Sequence, residues 1–91
     1  MITVYKYPIS PCGEQSIVLP EGAEILCVQT QQDVPFLWAR VNTEAKPEAR
    51  SIVIVGTGHD CPRLLGSKVK YLNTFQLHEG ALVFHAFVIE R

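Results

Sequence analysis

The closing segment Ala81–Glu90, ALVFHAFVIE, limits what this chain can fold into more than any other stretch. On a strand, successive side chains point to opposite faces. One face then carries Leu82, Phe84, Ala86 and Val88, and the other carries Val83, His85, Phe87 and Ile89. Both are apolar. A two-layer sheet with one wet side predicts alternation instead. The segment must therefore lie centrally between layers, or pack one of its faces against a second subunit.

The remaining residues supply short β runs separated by turn signals. A first strand over Ile2–Tyr7 stops at Pro8, and Ile9–Gln15 reads as a loop. Ser16–Leu19 is a short strand closed by Pro20-Glu21-Gly22. Glu24–Thr30 turns through Gln31-Gln32-Asp33 into Pro35–Val41, a hairpin whose second arm places Phe36, Trp38 and Arg40 on one face. The polar stretch 42–48 is a surface loop, and Arg50–Val55 is a fifth strand. His59–Lys68 holds a turn or short helix. Val69–Leu77 and Ala81–Glu90 form a last hairpin around His78-Glu79-Gly80. The chain is expected to be one mainly β domain over residues 1–91. Its fold is a small sandwich or barrel-like arrangement of about six or seven strands, largely antiparallel and oligomeric.

Composition narrows the function. The chain is 47% hydrophobic and 19% charged, so apolar surface is left over after one small core is filled, and self-association covers it most simply. Eight Lys and Arg stand against nine Asp and Glu, with no block of either sign. Nucleic-acid polymers are not expected partners, because they need a concentrated basic face. Three widely spaced cysteines without a CxxC predict a reducing, cytoplasmic setting and no disulfide framework. No apolar run approaches a membrane span, so no membrane partner is expected.

The chemistry-bearing residues gather after the fifth strand. In SIVIVGTGHDCP, a run of β-branched residues breaks at Gly56-Thr57-Gly58-His59. Glycines permit the positive φ of a nest, in which successive backbone N–H groups grip an anion. The structural alternative is a glycine-rich turn with an exposed histidine. The Lys-Ser/Thr pair of a P-loop is missing. Arg63 follows the loop and can join it. Trp38 and Arg40 share a strand face and offer ring stacking with phosphate pairing, unless Trp38 fills the core. These seven, Gly56, Thr57, Gly58, His59, Arg63, Trp38 and Arg40, are the candidate ligand-binding residues.

Metal and catalytic readings are weaker. Cys12, His59, Cys61 and His78 are zinc-type ligands, but their spacing matches no common site and three loops would have to converge. His59 and Cys61 could pair as base and nucleophile, yet no orienting carboxylate is evident and Pro62 follows at once. His85 on an apolar strand reads as a hydrogen-bonded core histidine, and Glu79 as a turn residue. No metal, no cofactor and no catalytic residue is expected.

Nearly the whole length resembles a family of short uncharacterised bacteriophage and bacterial proteins. The resemblance rests on the opening ITVYKYPI, the central W-A, the strand into IVGTGH, and the closing TFQL-x-x-G-A-L-V-F-H. The recurring positions here are Trp38, Gly56, Thr57, Gly58, His59, Phe75, Gln76, Gly80, Leu82, Val83, Phe84 and His85. It implies a phage-type accessory role and no particular chemistry. The residues and the resemblance together lead to a non-enzymatic factor that counters host defence by sequestering a small anionic, nucleotide-type signal at a subunit boundary. The competing expectation is an inhibitor or adaptor that binds a host protein through a sheet face or edge.

Overall fold

Prolines and glycines at segment ends, with alternating side chains between them, cut the chain into seven strands. The structure is a computed structural model describing residues 1–66 and 68–90. The strands are β1 (Ile2–Pro8), β2 (Gly13–Pro20), β3 (Glu24–Gln31), β4 (Val34–Asn42), β5 (Pro47–Gly56), β6 (Val69–Leu77) and β7 (Leu82–Ile89). They form two antiparallel sheets, a three-stranded β1–β4–β3 and a four-stranded β2–β5–β7–β6. The mainly β expectation thus resolves into a two-sheet sandwich. Among the described residues, no helix is long and apolar enough to cross a membrane.

The core is the set of alternate residues that the two sheets turn toward each other. Leu37, Ala39 and Val41 of β4 and Val28 of β3 meet Ile52 and Ile54 of β5, Phe75 and Leu77 of β6, and Ala86 and Val88 of β7. Leu19 of β2 closes one side. Phe75 stacks on Phe84 at 5.6 Å between ring centres. β7 lies inside its sheet, between β5 and β6. Its Ala86–Val88 side faces this core. β5 and β6 run parallel on either side of β7, so the connection between them, with a 3-10 helix at Pro62–Leu65, crosses the other side of the sheet.

Two β-bulges set the register. One between Ile25 and Cys27 leaves Leu26 as an extra residue, 43% exposed. The other, between Tyr71 and Asn73, lets Leu72 pack on the core while Asn73 also turns inward. Asn73 then donates from Nδ2 to the Val28 carbonyl at 2.6 Å and accepts from the Val28 N–H at 2.8 Å. One side-chain amide thereby behaves as a strand neighbour and closes the flank between β3 and β6. The opposite flank, between β1 and β2, holds an apolar groove of about 290 Å³ walled by Tyr5, Tyr7, Val18 and Pro20.

Turn chemistry explains the connections. Gln32 and Asp33 both have positive φ, 51° and 63°, the type I′ pattern that a two-residue hairpin takes. Asp33 is also tied down, accepting from the His78 N–H at 2.8 Å. His78, Glu79 and Gly80 are all left-handed, with φ of 53°, 56° and 91°. Two expected boundaries shift. β2 begins at Gly13 rather than Ser16, because Gly13 pairs with Ile54 and extends the ladder along β5. β5 begins at Pro47, where a strand's first residue needs no N–H for the ladder. The expected turn in His59–Lys68 contains a 3-10 helix at Pro62–Leu65, with Ser67 outside the described residues.

Candidate functional site

The glycine loop is built for its own closure. Thr57 donates its N–H to the Val83 carbonyl at 3.1 Å, and His59 donates to the Gly56 carbonyl at 3.0 Å. With Gly58 at φ 82° in the third position, this is a type II turn. Two amides of the expected anion nest are therefore committed to carbonyls. Each flanking glycine has a local reason. A Cβ on Gly56 would stand 2.7 Å from Nδ1 of His59, whose ring folds back on the strand end. A Cβ on Gly58 would meet nothing within 4 Å, so only its backbone conformation is demanding. Gly58→Ala is expected to cost about 1–2 kcal/mol, the strain of a left-handed alanine. Urea denaturation measures it, and a loss above about 4 kcal/mol would mean the loop does more than turn.

Residues 56–63 do border a concavity. A cavity of about 320 Å³ lies between this loop and the start of β2, with Cys12, His59 and Cys61 on its wall. Its charge is wrong for phosphate. Glu14 and Asp60 line it together with Arg63, and Arg63 Nε donates to the Glu14 carboxylate at 3.2 Å. Two carboxylates thus face one guanidinium that is already paired. His78, the fourth zinc-type residue, is elsewhere, with Nδ1 at 3.1 Å from the Asp33 carboxylate. Among the described residues, no group of three or more His, Cys, Asp or Glu could hold a metal ion. Burial pushes the Cys27 thiol up, away from the nucleophilic thiolate. Tyr7 is raised mainly by burial and secondarily by Tyr5.

Trp38 and Arg40 belong to a different surface, the outer face of the three-stranded sheet. Trp38 is absent from the core cluster and half-buried on that face. Its ring sits edge-on to Phe36 at 6.4 Å, and the Lys6 ammonium lies 5.9 Å from its centre and 4.6 Å from that of Phe36. The cation seat on Trp38 is thus taken from within. Arg40 pairs with Glu24 at 3.2 Å. The seven candidate residues therefore divide between two surfaces instead of converging.

The arrangement that sequence reasoning missed lies on the outer face of the four-stranded sheet. His85 is not a core residue. Its Nε2 is 2.7 Å from Thr57 Oγ1 and its Nδ1 is 2.9 Å from Thr74 Oγ1. Thr74 Oγ1 is in turn 2.8 Å from the Tyr71 hydroxyl. A polar row, Thr57–His85–Thr74–Tyr71, thus crosses an otherwise apolar face made by Val53, Val55, Val83, Phe87 and Ile89. Val53 is on this outer side yet only 3% exposed, flanked in register by Glu14 and Phe87. Tyr71 meets Phe87 edge-on at 5.6 Å and is 55% exposed. The row has the outline of a nucleophile–histidine–orienter set. It lacks the carboxylate that holds an imidazolium in such sets.

Residues 1–91 match the family described as a domain of unknown function, DUF7352. The chain belongs to that family. No curated protein and no solved structure matches it. The family match spans the DUF7352 chain and assigns no chemistry, so a functional reading rests on the surfaces just described.

Proposed function

We propose that this chain is a non-catalytic binding module that pairs with a second copy of itself through the outer face of the four-stranded sheet. The pair serves as a phage-type accessory factor and engages a host protein through the flank left open between β1 and β2. The observation that supports this reading is the outer side of β7, where Val83, His85, Phe87 and Ile89 stay half-buried beside the connection that crosses from β5 to β6.

A second copy is the occupant this face suits. Four strands about 4.8 Å apart and about eight residues long give roughly 500 Å² in plan. Two such faces offer at most about 1,000 Å² together, less the strip under the β5–β6 connection, near the lower bound for a specific interface. β5 and β7 present no charged side chain on this side between Ser51 and Val55 or between Val83 and Ile89. The imidazole and hydroxyls of the polar row bond one another, and Glu14 at the β2 side is paired with Arg63. Equilibrium sedimentation tests the reading, with twice the chain mass expected at about 100 µM and a single-chain mass overturning it.

Sequestration of a nucleotide-type anion is the second reading, and the cavity beside His59 and Arg63 favours it. The two carboxylates on that wall weigh against it. Calorimetric titration with cyclic and ADP-ribose-type nucleotides separates the two. Heat with any of them supports sequestration; no heat removes it.

A further inference from the structure

We infer that the end of the sandwich beside the start of β3 holds a binding site for a small zwitterion with an apolar side chain, the chemistry of a free amino acid. The site lies between the sheets and does not depend on pairing. A cavity of about 490 Å³ opens there, within the roughly 300–1,000 Å³ that small-molecule sites occupy. Its wall carries charged residues on the side of the four-stranded sheet that elsewhere faces the core.

Strand register puts them on that side. Along β5 the core side carries Ile54 and Ile52, and the same alternation continues to Arg50 and Glu48. Lys70 of β6 is the cross-strand partner of Val88, a core residue, and directly opposed residues share a face. Glu90 comes two residues after Val88 and lines the same cavity. The inner faces of a sandwich are ordinarily filled by apolar side chains from both sheets. Here that filling ends at Leu72 and Val88, and the three-stranded sheet reaches over the charged end only with Ala23, Glu24 and Ile25.

Each part of an amino acid finds its complement on this wall. Arg50 is half-buried, and its Nη1 donates to the Ala23 carbonyl at 3.1 Å, which holds the guanidinium at the cavity. A guanidinium offers five N–H donors in a planar fork, so one such bond leaves others for a carboxylate. Lys70 stands two strands away across β7, about 10 Å at the backbone, and its flexible four-carbon stem can bring a second positive charge to the same carboxylate. Glu90, on the strand between them, supplies the acceptor for an ammonium. Lys70 and Glu90 take part in no ion pair among the described residues. Glu24 is already held by Arg40 at 3.2 Å. Ile25, Leu72 and Val88 leave an apolar floor for the ligand's side chain. Charges of both signs on one wall disfavour a phosphate dianion and a polyamine alike, because each would press its charge against a like one.

Titration of the isotope-labelled full chain, followed by amide chemical shifts, tests this. The probes are leucine and phenylalanine, with N-acetyl-leucine lacking the ammonium and leucinamide lacking the carboxylate. Saturable shifts are expected at residues 23–25, 48–50, 70–72 and 88–90, with a Kd below about 1 mM for at least one amino acid. Each truncated analogue is expected to bind at least about 10-fold more weakly, since it leaves a charged group of the site unmatched. Lys70→Gln keeps the stem at an exposed position, so it folds, and it should raise the Kd at least about 10-fold. Arg50→Gln should raise it further. That variant also gives up the bond to Ala23, and Lys70→Gln decides the matter if it fails to fold. No saturable shift with either amino acid up to about 10 mM overturns the site. N-acetyl-leucine or leucinamide binding as tightly as leucine overturns the zwitterion, and a Kd unchanged in Lys70→Gln overturns the carboxylate seat. A single-chain mass in sedimentation removes the pairing reading and leaves this site as it is.

Discussion

Phe87→Glu yields a folded chain that no longer pairs. Sedimentation equilibrium returns a single-chain mass, with the Kd raised at least about 1,000-fold over wild type, because a carboxylate buried between apolar faces without a partner costs several kcal/mol. Folding survives because Phe87 is outside the core cluster. What the chain loses internally is the edge-on contact with Tyr71 at 5.6 Å and some cover over Val53. An aromatic pair of that kind contributes about 0.5–1.5 kcal/mol beyond area burial. Circular dichroism should therefore show an unchanged β spectrum and a modestly lower Tm.

The same substitution separates face pairing from edge pairing. β1 and β2 are edge strands next to the open flank, and an exposed edge can add a strand from another chain. Were copies joined along β2, Phe87 would stand well away from the contact and the glutamate would remain solvated. Pairing that persists in Phe87→Glu would thus reject the face and direct attention to the edges. The slab-like shape, 40 × 33 × 15 Å over its Cα atoms, makes the broad face the larger opportunity.

Strand content and the doubly apolar β7 were legible because a period of two is written directly into residues 82–89. Trp38 shows where the reading had two answers and which clue resolved them. Phe36-Trp38-Arg40 and Leu37-Ala39-Val41 are both apolar enough for a core, and the larger aromatics compete for it. Arg40 settles the choice, since burying that series also buries a guanidinium. Leu37, Ala39 and Val41 accordingly face inward at 0%, 0% and 1% exposure. The glycine loop had two readings for a different reason. Gly56 and Gly58 show that the backbone needs freedom there, but whether this bares amides or closes a turn depends on the Val83 carbonyl, which arrives from β7. The His85 row was hidden because Thr74 reaches it only through the bulge at Leu72. An unbroken alternation counted along β6 from Tyr71 puts Thr74 on the wrong face.

That same bulge carries the second large effect. Asn73→Ala is expected to lower stability by about 2–5 kcal/mol, the cost of leaving a buried donor and a buried acceptor unpaired. Val28 is 0% exposed, and its N–H and C=O face β6, with Asn73 as their partner at 2.8 and 2.6 Å. Asn73→Leu distinguishes this cause from simple loss of packing. Leucine restores the side-chain volume but neither bond, so it should fall nearly as far as alanine in urea denaturation. If leucine instead recovered wild-type stability, the flank would be held by apolar filling, and the amide pairing to Val28 would be incidental to it. The pairing face lies on the opposite side of β6, so both variants should keep whatever Kd the wild type has while they remain folded.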